Sequence, residues 1–169
     1  MLLLLVTAGY GCHGPSPRED MDQAGVGCQE RVARTGDVLL PGAGVRWNVT
    51  SRNEVGAWAW PDGRIEVSRK LVDQLDADEL AAALAHELGH LIDRGHLHAV
   101  PNALAGEPGD LERRADRIGC TVLRNAGVPV DAMPRMLGKV AVATRDPDGA
   151  LAARVAALPP DCASHAAMR

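Results

Sequence analysis

Aromatic side chains are almost missing from this chain. They make up 2% of its 169 residues, with three tryptophans, one tyrosine and no phenylalanine. A core must therefore rest on Leu, Val, Ala and Ile, and a hydrophobic content of 46% is enough to build one. The one tyrosine, Tyr10, lies in the leader, so a tyrosine hydroxyl within the folded domain is excluded. Also missing is any apolar run long enough to span a bilayer, since Leu2 to Ala8 is too short. The formal net charge of −4 is spread over interspersed acids and bases, with no basic stripe, so no nucleic-acid partner is expected. The four cysteines form no C-x-x-C pair, which argues against a structural zinc knuckle. No internal repeat is visible, and the length suits one domain.

What is present is concentrated in His86-Glu87-Leu88-Gly89-His90, an H-E-x-x-H pattern inside the Ala- and Leu-rich run Glu79 to Ile92. Residues four apart share a helix face, so both imidazoles can approach one metal ion from the same side. Glu87 is displaced by one position, within reach of a water at that metal without binding it. This is the geometry of a zinc hydrolase. Leu80, Leu84, Leu88 and Leu91 form an apolar stripe at helical spacing, and the two histidines and Glu87 lie off it. Asp76 or Asp78 suits the helix start, with Glu79 near the positive end of the dipole.

Catalytic zinc usually keeps three protein ligands and one open position. Two candidates compete for the third place. Glu112 begins an E-x-x-x-D pattern with Asp116, again on one helical face. One carboxylate can bind metal while the other accepts the free N–H of a ligand histidine. His96 is the rival; it gives H-E-x-x-H-x-x-D-x-x-H, with Asp93 where the metzincin pattern has glycine, and Met133 or Met136 as a possible Met-turn. Glu112 is preferred, because it explains two residues at once and His96 leaves Asp116 idle.

These stretches resemble the M48 family of gluzincin metallopeptidases. Residues 78–90 follow the family's extended zinc-helix motif, and Glu112 to Gly119 resembles its third-ligand helix. Ala126 to Ala132, with Met136-Leu137, resembles the stretch that follows. Asp146-Pro147 and Leu151 to Leu158, including Arg154, look like its closing segment. The resemblance covers roughly residues 54–158. It implies a compact Zn2+-dependent endopeptidase with polypeptide substrates and one zinc per chain. His86, His90 and Glu112 would be ligands, Glu87 the general base and Asp116 the partner of a ligand histidine. Arg154 would be a substrate-facing cation. The chain departs from the pattern at Asp146, where the family usually has histidine. The short spacing before Glu112 also argues against the multi-spanning members.

Residues 1–21 are expected to be a signal- or lipoprotein-like leader and tether, residues 22–158 the peptidase domain and residues 159–169 a loose tail. Leu2 to Ala8 resembles a secretory core, and Cys12 follows Gly11 as in a loose lipoprotein site, so export and membrane attachment through a lipidated Cys12 are expected. In an exported chain Cys120 would pair with Cys162, leaving Cys28 as an odd thiol. Gln23 to Thr35 reads as a first helix ending at Gly36, and Val45 to Val49 as a strand. Pro61-Asp62-Gly63 would turn a hairpin between Ala57–Trp60 and Ile65–Val67. Arg69 to Gln74 leads into the zinc helix. Helices follow at 111–125, 130–142 and 149–158. The order predicts an α+β, mainly helical, zincin-like fold with a small antiparallel sheet before the zinc helix. Ile65 to Ser68 is the candidate edge strand for pairing with an extended substrate. Trp58 and Trp60 are expected to plug the core.

Three other readings compete with the peptidase. One is a zinc-loaded, catalytically weak chaperone-like module, favoured by Asp146. Another is a metal-free helical domain. The third is the metzincin-like enzyme using His96. The sequence leaves substrate, cleavage preference and oligomeric state open.

Overall fold

The computed structural model describes residues 18–97 and 111–163. The elements run α1 (Arg18–Leu39), β1 (Arg46–Thr50), β2 (Ala57–Trp60), β3 (Arg64–Ser68), α2 (Arg69–Gln74), α3 (Ala77–Asp93), α4 (Leu111–Asn125), α5 (Ala132–Thr144), α6 (Ala150–Ala156) and α7 (Pro160–Ala163). The architecture is α+β and mainly helical, as the order of sequence patterns implies.

The sheet differs from the expected antiparallel one. Its order is β1-β3-β2: β2 and β3 pair as an antiparallel hairpin, with Ala57 opposite Val67 and Trp60 opposite Arg64, whereas β1 runs parallel to β3. The turn forms where Pro61-Asp62-Gly63 predicts it, with Gly63 at φ 79°, a left-handed value that suits glycine. Ile65 and Val67 face the core with Trp47, all buried. Trp58 and Trp60 share the opposite face with Glu66 and Arg64. They are half-buried beneath the guanidinium groups of Arg52 and Arg64, at 4.8 and 4.9 Å from the ring centroids, and do not plug the core.

Helix α1 does not stop at Gly36. A Cβ at that position would overlap the indole of Trp47, so the glycine is there to let α1 lie close on β1. Gln29 closes the outer edge of β1: its Nε2 donates to the Trp47 carbonyl at 2.6 Å and its Oε1 accepts from Val49 N at 2.8 Å. Arg31 donates to the carbonyls of Val72 and Leu75, tying α1 to the end of α2.

Helix α3 runs through the middle of the molecule. Every residue from Glu79 to Ile92 is buried, so the apolar stripe of the sequence is only one side of a helix covered all round. Its start is fixed by a capping box, in which Asp76 accepts from Glu79 N and Glu79 accepts from Asp76 N, both at 2.9 Å. It ends at Gly95, whose φ of 72° closes the turn with Gly95 N donating to Ile92 and His96 N to Leu91.

The chain past Pro159, expected to be loose, carries α7. Cys162 is buried there and disulfide-bonded to Cys120 on α4, and Arg124 pairs with Asp161 beside it. The pairing follows the sequence expectation. Cys28 is not the odd thiol, however: it too is disulfide-bonded and none of the described cysteines is free. Cys12 and its expected lipidation, and Tyr10, lie outside the described residues. Among the described residues no helix is long and apolar enough to cross a membrane.

Candidate metal centre

The site is made where α3 and α4 touch. These two helices pack more extensively on each other than any other pair of elements, and Gly89 sits at their contact. A Cβ on Gly89 would lie 2.9 Å from Ala115 Cα and closer still to the Ala115 carbonyl oxygen. Gly119, one turn further along the contact on α4, similarly leaves room for the Ala85 backbone, 3.1 Å from where its Cβ would be. Bare backbone at these points lets the second helix approach far enough for its first turn to overhang the histidines. A bidentate salt bridge, Arg114 to Asp93 at 3.0–3.2 Å, pins the end of α3 to the start of α4.

Glu112 reaches both imidazoles from that first turn. Its Oε2 is 3.4 Å from His86 Nε2 and its Oε1 3.3 Å from His90 Nε2. The two rings stand edge to face with centroids 4.7 Å apart. One ligand atom from each of His86, His90 and Glu112 lies within 4.8 Å of the others, so the three could hold a metal ion. Two neutral imidazoles and a carboxylate suit zinc in a catalytic site, with a fourth position left to solvent or substrate. The donor set fits that ion.

Asp116, one turn below Glu112, accepts a hydrogen bond from His86 Nδ1 at 2.9 Å. That leaves Nε2 as the unprotonated, metal-facing nitrogen in the neutral ring. His90 lacks the equivalent support, since its Nδ1 is buried without a partner among the described residues. Arg154, expected to face a substrate, engages the carboxylates. Its Nε and Nη2 donate to Asp116 at 2.9 and 2.7 Å, its Nη1 lies 2.9 Å from Glu112 Oε2, and the group lies against the His86 ring. Asp146 accepts from Leu151 N and Ala152 N and so fixes the start of the helix that carries Arg154.

These charges set one another. Burial disfavours the His86 cation, but hydrogen bonds to Asp116 and Glu112 outweigh it and raise the pKa to about 9 in the absence of metal. The same bonds from His86 and His90 hold Glu112 well below the usual carboxylate range against a smaller burial effect. Asp116 is pushed up by burial, yet its bonds to Arg154 and His86 bring it below its ordinary value. Glu87 moves the other way. It is buried at the inner wall of the site, and the loss of solvent raises its pKa despite the nearby histidines and the Ala59 backbone N–H that it accepts from.

That contact corrects the edge-strand expectation. Ile65 to Ser68 belongs to β3, which is central and paired on both sides. The strand beside Glu87 is β2, whose other edge carries no strand among the described residues. Single-sequence reading missed this because the third strand returns between the first two.

The remaining candidates are placed elsewhere. His96 is exposed on the turn after α3 and is outside the converging group. Asp93, the residue that broke the metzincin pattern, is the partner of Arg114 and lies within α3. Met133 and Met136 are buried on α5 and form no turn beneath the site. Sequence reasoning did not anticipate Arg114 or the packing role of Gly89 and Gly119; a glycine inside a helical run was the available signal.

Among known families, the model described as Peptidase family M48 matches residues 28–105. The stretch contains His86, Glu87 and His90 and stops before α4, so Glu112 and Asp116 are placed by the geometry and not by the match. No curated protein and no solved structure matches the chain. Over that stretch the chain is similar to this family, whose members depend on zinc.

Proposed function

We propose, from the match to peptidase family M48, that this chain is a zinc-dependent endopeptidase acting on extended or misfolded polypeptide segments. The observation that carries the reading is the convergence of Glu112 on the Nε2 atoms of both His86 and His90, with Glu87 buried alongside and raised in pKa. Zinc, when bound by His86, His90 and Glu112, would lower the pKa of a coordinated water and polarise a carbonyl. Glu87 takes the proton from the attacking water and hands it to the leaving amine, and its raised pKa suits both directions of transfer. Asp116 keeps the His86 ring in one tautomer and orientation, and Arg154 holds Asp116 and Glu112 in register. An extended substrate pairs with the open edge of β2, where backbone recognition reads shape more than sequence.

Export is part of the proposal. The Cys120–Cys162 disulfide supports it, because such bonds persist in oxidising compartments.

The test is a pair of measurements on Glu87→Gln. Purified protein should hold one zinc per chain and cleave an unfolded protein such as casein, with chelator abolishing cleavage. Glu87→Gln should keep the zinc and lose the activity. Cleavage that persists in the metal-loaded variant, or wild-type protein that binds no zinc, would overturn the reading. The Asp146 replacement favours a second reading, a zinc-loaded module that holds unfolded chains without cutting them. Zinc-bound wild type that suppresses aggregation but leaves casein intact would establish that one.

A further inference from the structure

A cavity of about 190 Å³ opens beside the metal-binding side chains, between β2, α3, α5 and α6. Part of its lining is polar: His86, Glu87, Glu112 and Arg154. The rest is apolar. Leu71 comes from α2, Met136, Leu137 and Val140 from α5, and Leu151 from α6. Ala83 forms part of its wall, one turn before His86 and Glu87 on the same face of α3. We infer that this cavity is the specificity subsite for a single aliphatic side chain, of leucine or methionine size, flanking the scissile bond. The inference rests on the peptidase reading and adds the class of residue selected.

Size supports one side chain. Pockets for cofactors and whole small ligands run to about 300–1,000 Å³, well above this volume. Chemistry supports an aliphatic one. Of the charged groups in the lining, Glu112 and Arg154 already pair with each other, Glu112 also with the two histidines, and Glu87 accepts from the Ala59 backbone. A lysine or aspartate side chain driven past them would lose its water among leucine, methionine and valine without gaining a counter-charge. Position supports adjacency to the cleaved bond, since the same cavity is lined by both Glu87 and Glu112. Ala83 is the residue that leaves the space open. It is buried and only a methyl, so a larger side chain there would project from the α3 face into the cavity.

The experiment is cleavage-site mapping by mass spectrometry on a degenerate peptide library, with zinc-loaded wild type, Ala83→Leu and Leu151→Ala. Wild type should prefer Leu, Met, Ile or Val at one position beside the cut by at least 100-fold over Asp or Lys. Ala83→Leu should shift that preference to Ala or Gly, and Leu151→Ala should admit Phe. Circular dichroism checks that each variant folds, and Leu151→Ala carries the test should Ala83→Leu fail it. Cleavage with no aliphatic preference, or the same preference in all three proteins, overturns the subsite and leaves the peptidase reading standing. Absence of cleavage by wild type counts against the peptidase reading instead. Binding then reads the cavity alone: zinc-loaded Glu87→Gln should bind a leucine-bearing peptide at least tenfold more tightly than its aspartate twin, and equal affinities overturn the subsite.

Discussion

Gly89→Ala is the most demanding perturbation of the architecture, because local and tertiary physics oppose each other there. In an isolated helix the change should help: alanine is favoured over glycine in a helix interior by about 1 kcal/mol. In this protein the added methyl would lie 2.9 Å from Ala115 Cα. Carbon atoms rest about 3.5–4.0 Å apart, so α3 and α4 must separate by roughly 0.6–1 Å or absorb the overlap as strain. Overpacking of this kind costs about 1–3 kcal/mol, which cancels or exceeds the propensity gain. The metal site is the more sensitive reporter. Metal–ligand distances tolerate only about 0.2 Å, and Glu112 rides on the helix that must move. We expect Gly89→Ala to fold with a melting temperature near or a few degrees below that of wild type. Its zinc affinity should fall by about 10- to 100-fold, the scale seen when ligand support is disturbed. Competition against a chromogenic chelator measures the affinity, and calorimetry of the metal-free protein measures the fold. A Gly89→Ala protein that binds zinc as tightly as wild type would refute the claim that bare backbone at this contact positions the third carboxylate.

Further outcomes follow from the same geometry. Asp116→Asn removes the anion that His86 Nδ1 and Arg154 share, and zinc affinity should drop about 10- to 100-fold with the fold retained; unchanged affinity would remove Asp116 from the site. Arg154→Ala should weaken zinc binding in the same direction and Arg154→Lys should recover part of it, whereas a purely substrate-facing arginine would change KM and leave zinc affinity alone. For the metal-free protein, the His86 pKa is raised from 6.5 to about 9, so its contribution is whole below pH 6.5 and is lost as pH rises through 9, about 3 kcal/mol in all. Glu112 and Asp116 are depressed, so their contribution is present above their ordinary values and is lost as pH falls below them. Thermal melts of the chelated protein should therefore peak between about pH 5 and 6.5; a curve flat from pH 6 to 9 would contradict this. Cys162→Ala opens a loop with a sequence separation of 42 residues and should cost about 4 kcal/mol on loop entropy, read by denaturant unfolding with and without reductant.

The clustering of the candidate residues was legible in the sequence for a local reason. H-E-x-x-H and E-x-x-x-D are each spaced by one helical turn, so a single assumption, that both stretches are helices, puts each pair on one face. Helices α3 and α4 also start where their patterns start, with Asp76 capping the first. Local spacing could not show how deeply α3 is buried, because its neighbours come from α1, β2, α4 and α5. Nor could it show that Gly36 continues a helix: the reason is an indole from β1, not any adjacent residue.

The amino-acid sequence by itself determined most of the elements, the candidate histidine and carboxylate pairs and the α+β order, because each depends on periods of two or of about 3.6 residues and on turn chemistry within a few positions. Tertiary structure alone decided the rest. It set the parallel return that makes β3 central and β2 the open edge, the close approach at Gly89 that carries Glu112 to the histidines, the turning of Arg154 toward carboxylates, and the apolar cavity beside them. Each of these is a contact between segments distant in the chain, set by which surfaces can approach without overlap and which charges find partners when water is excluded.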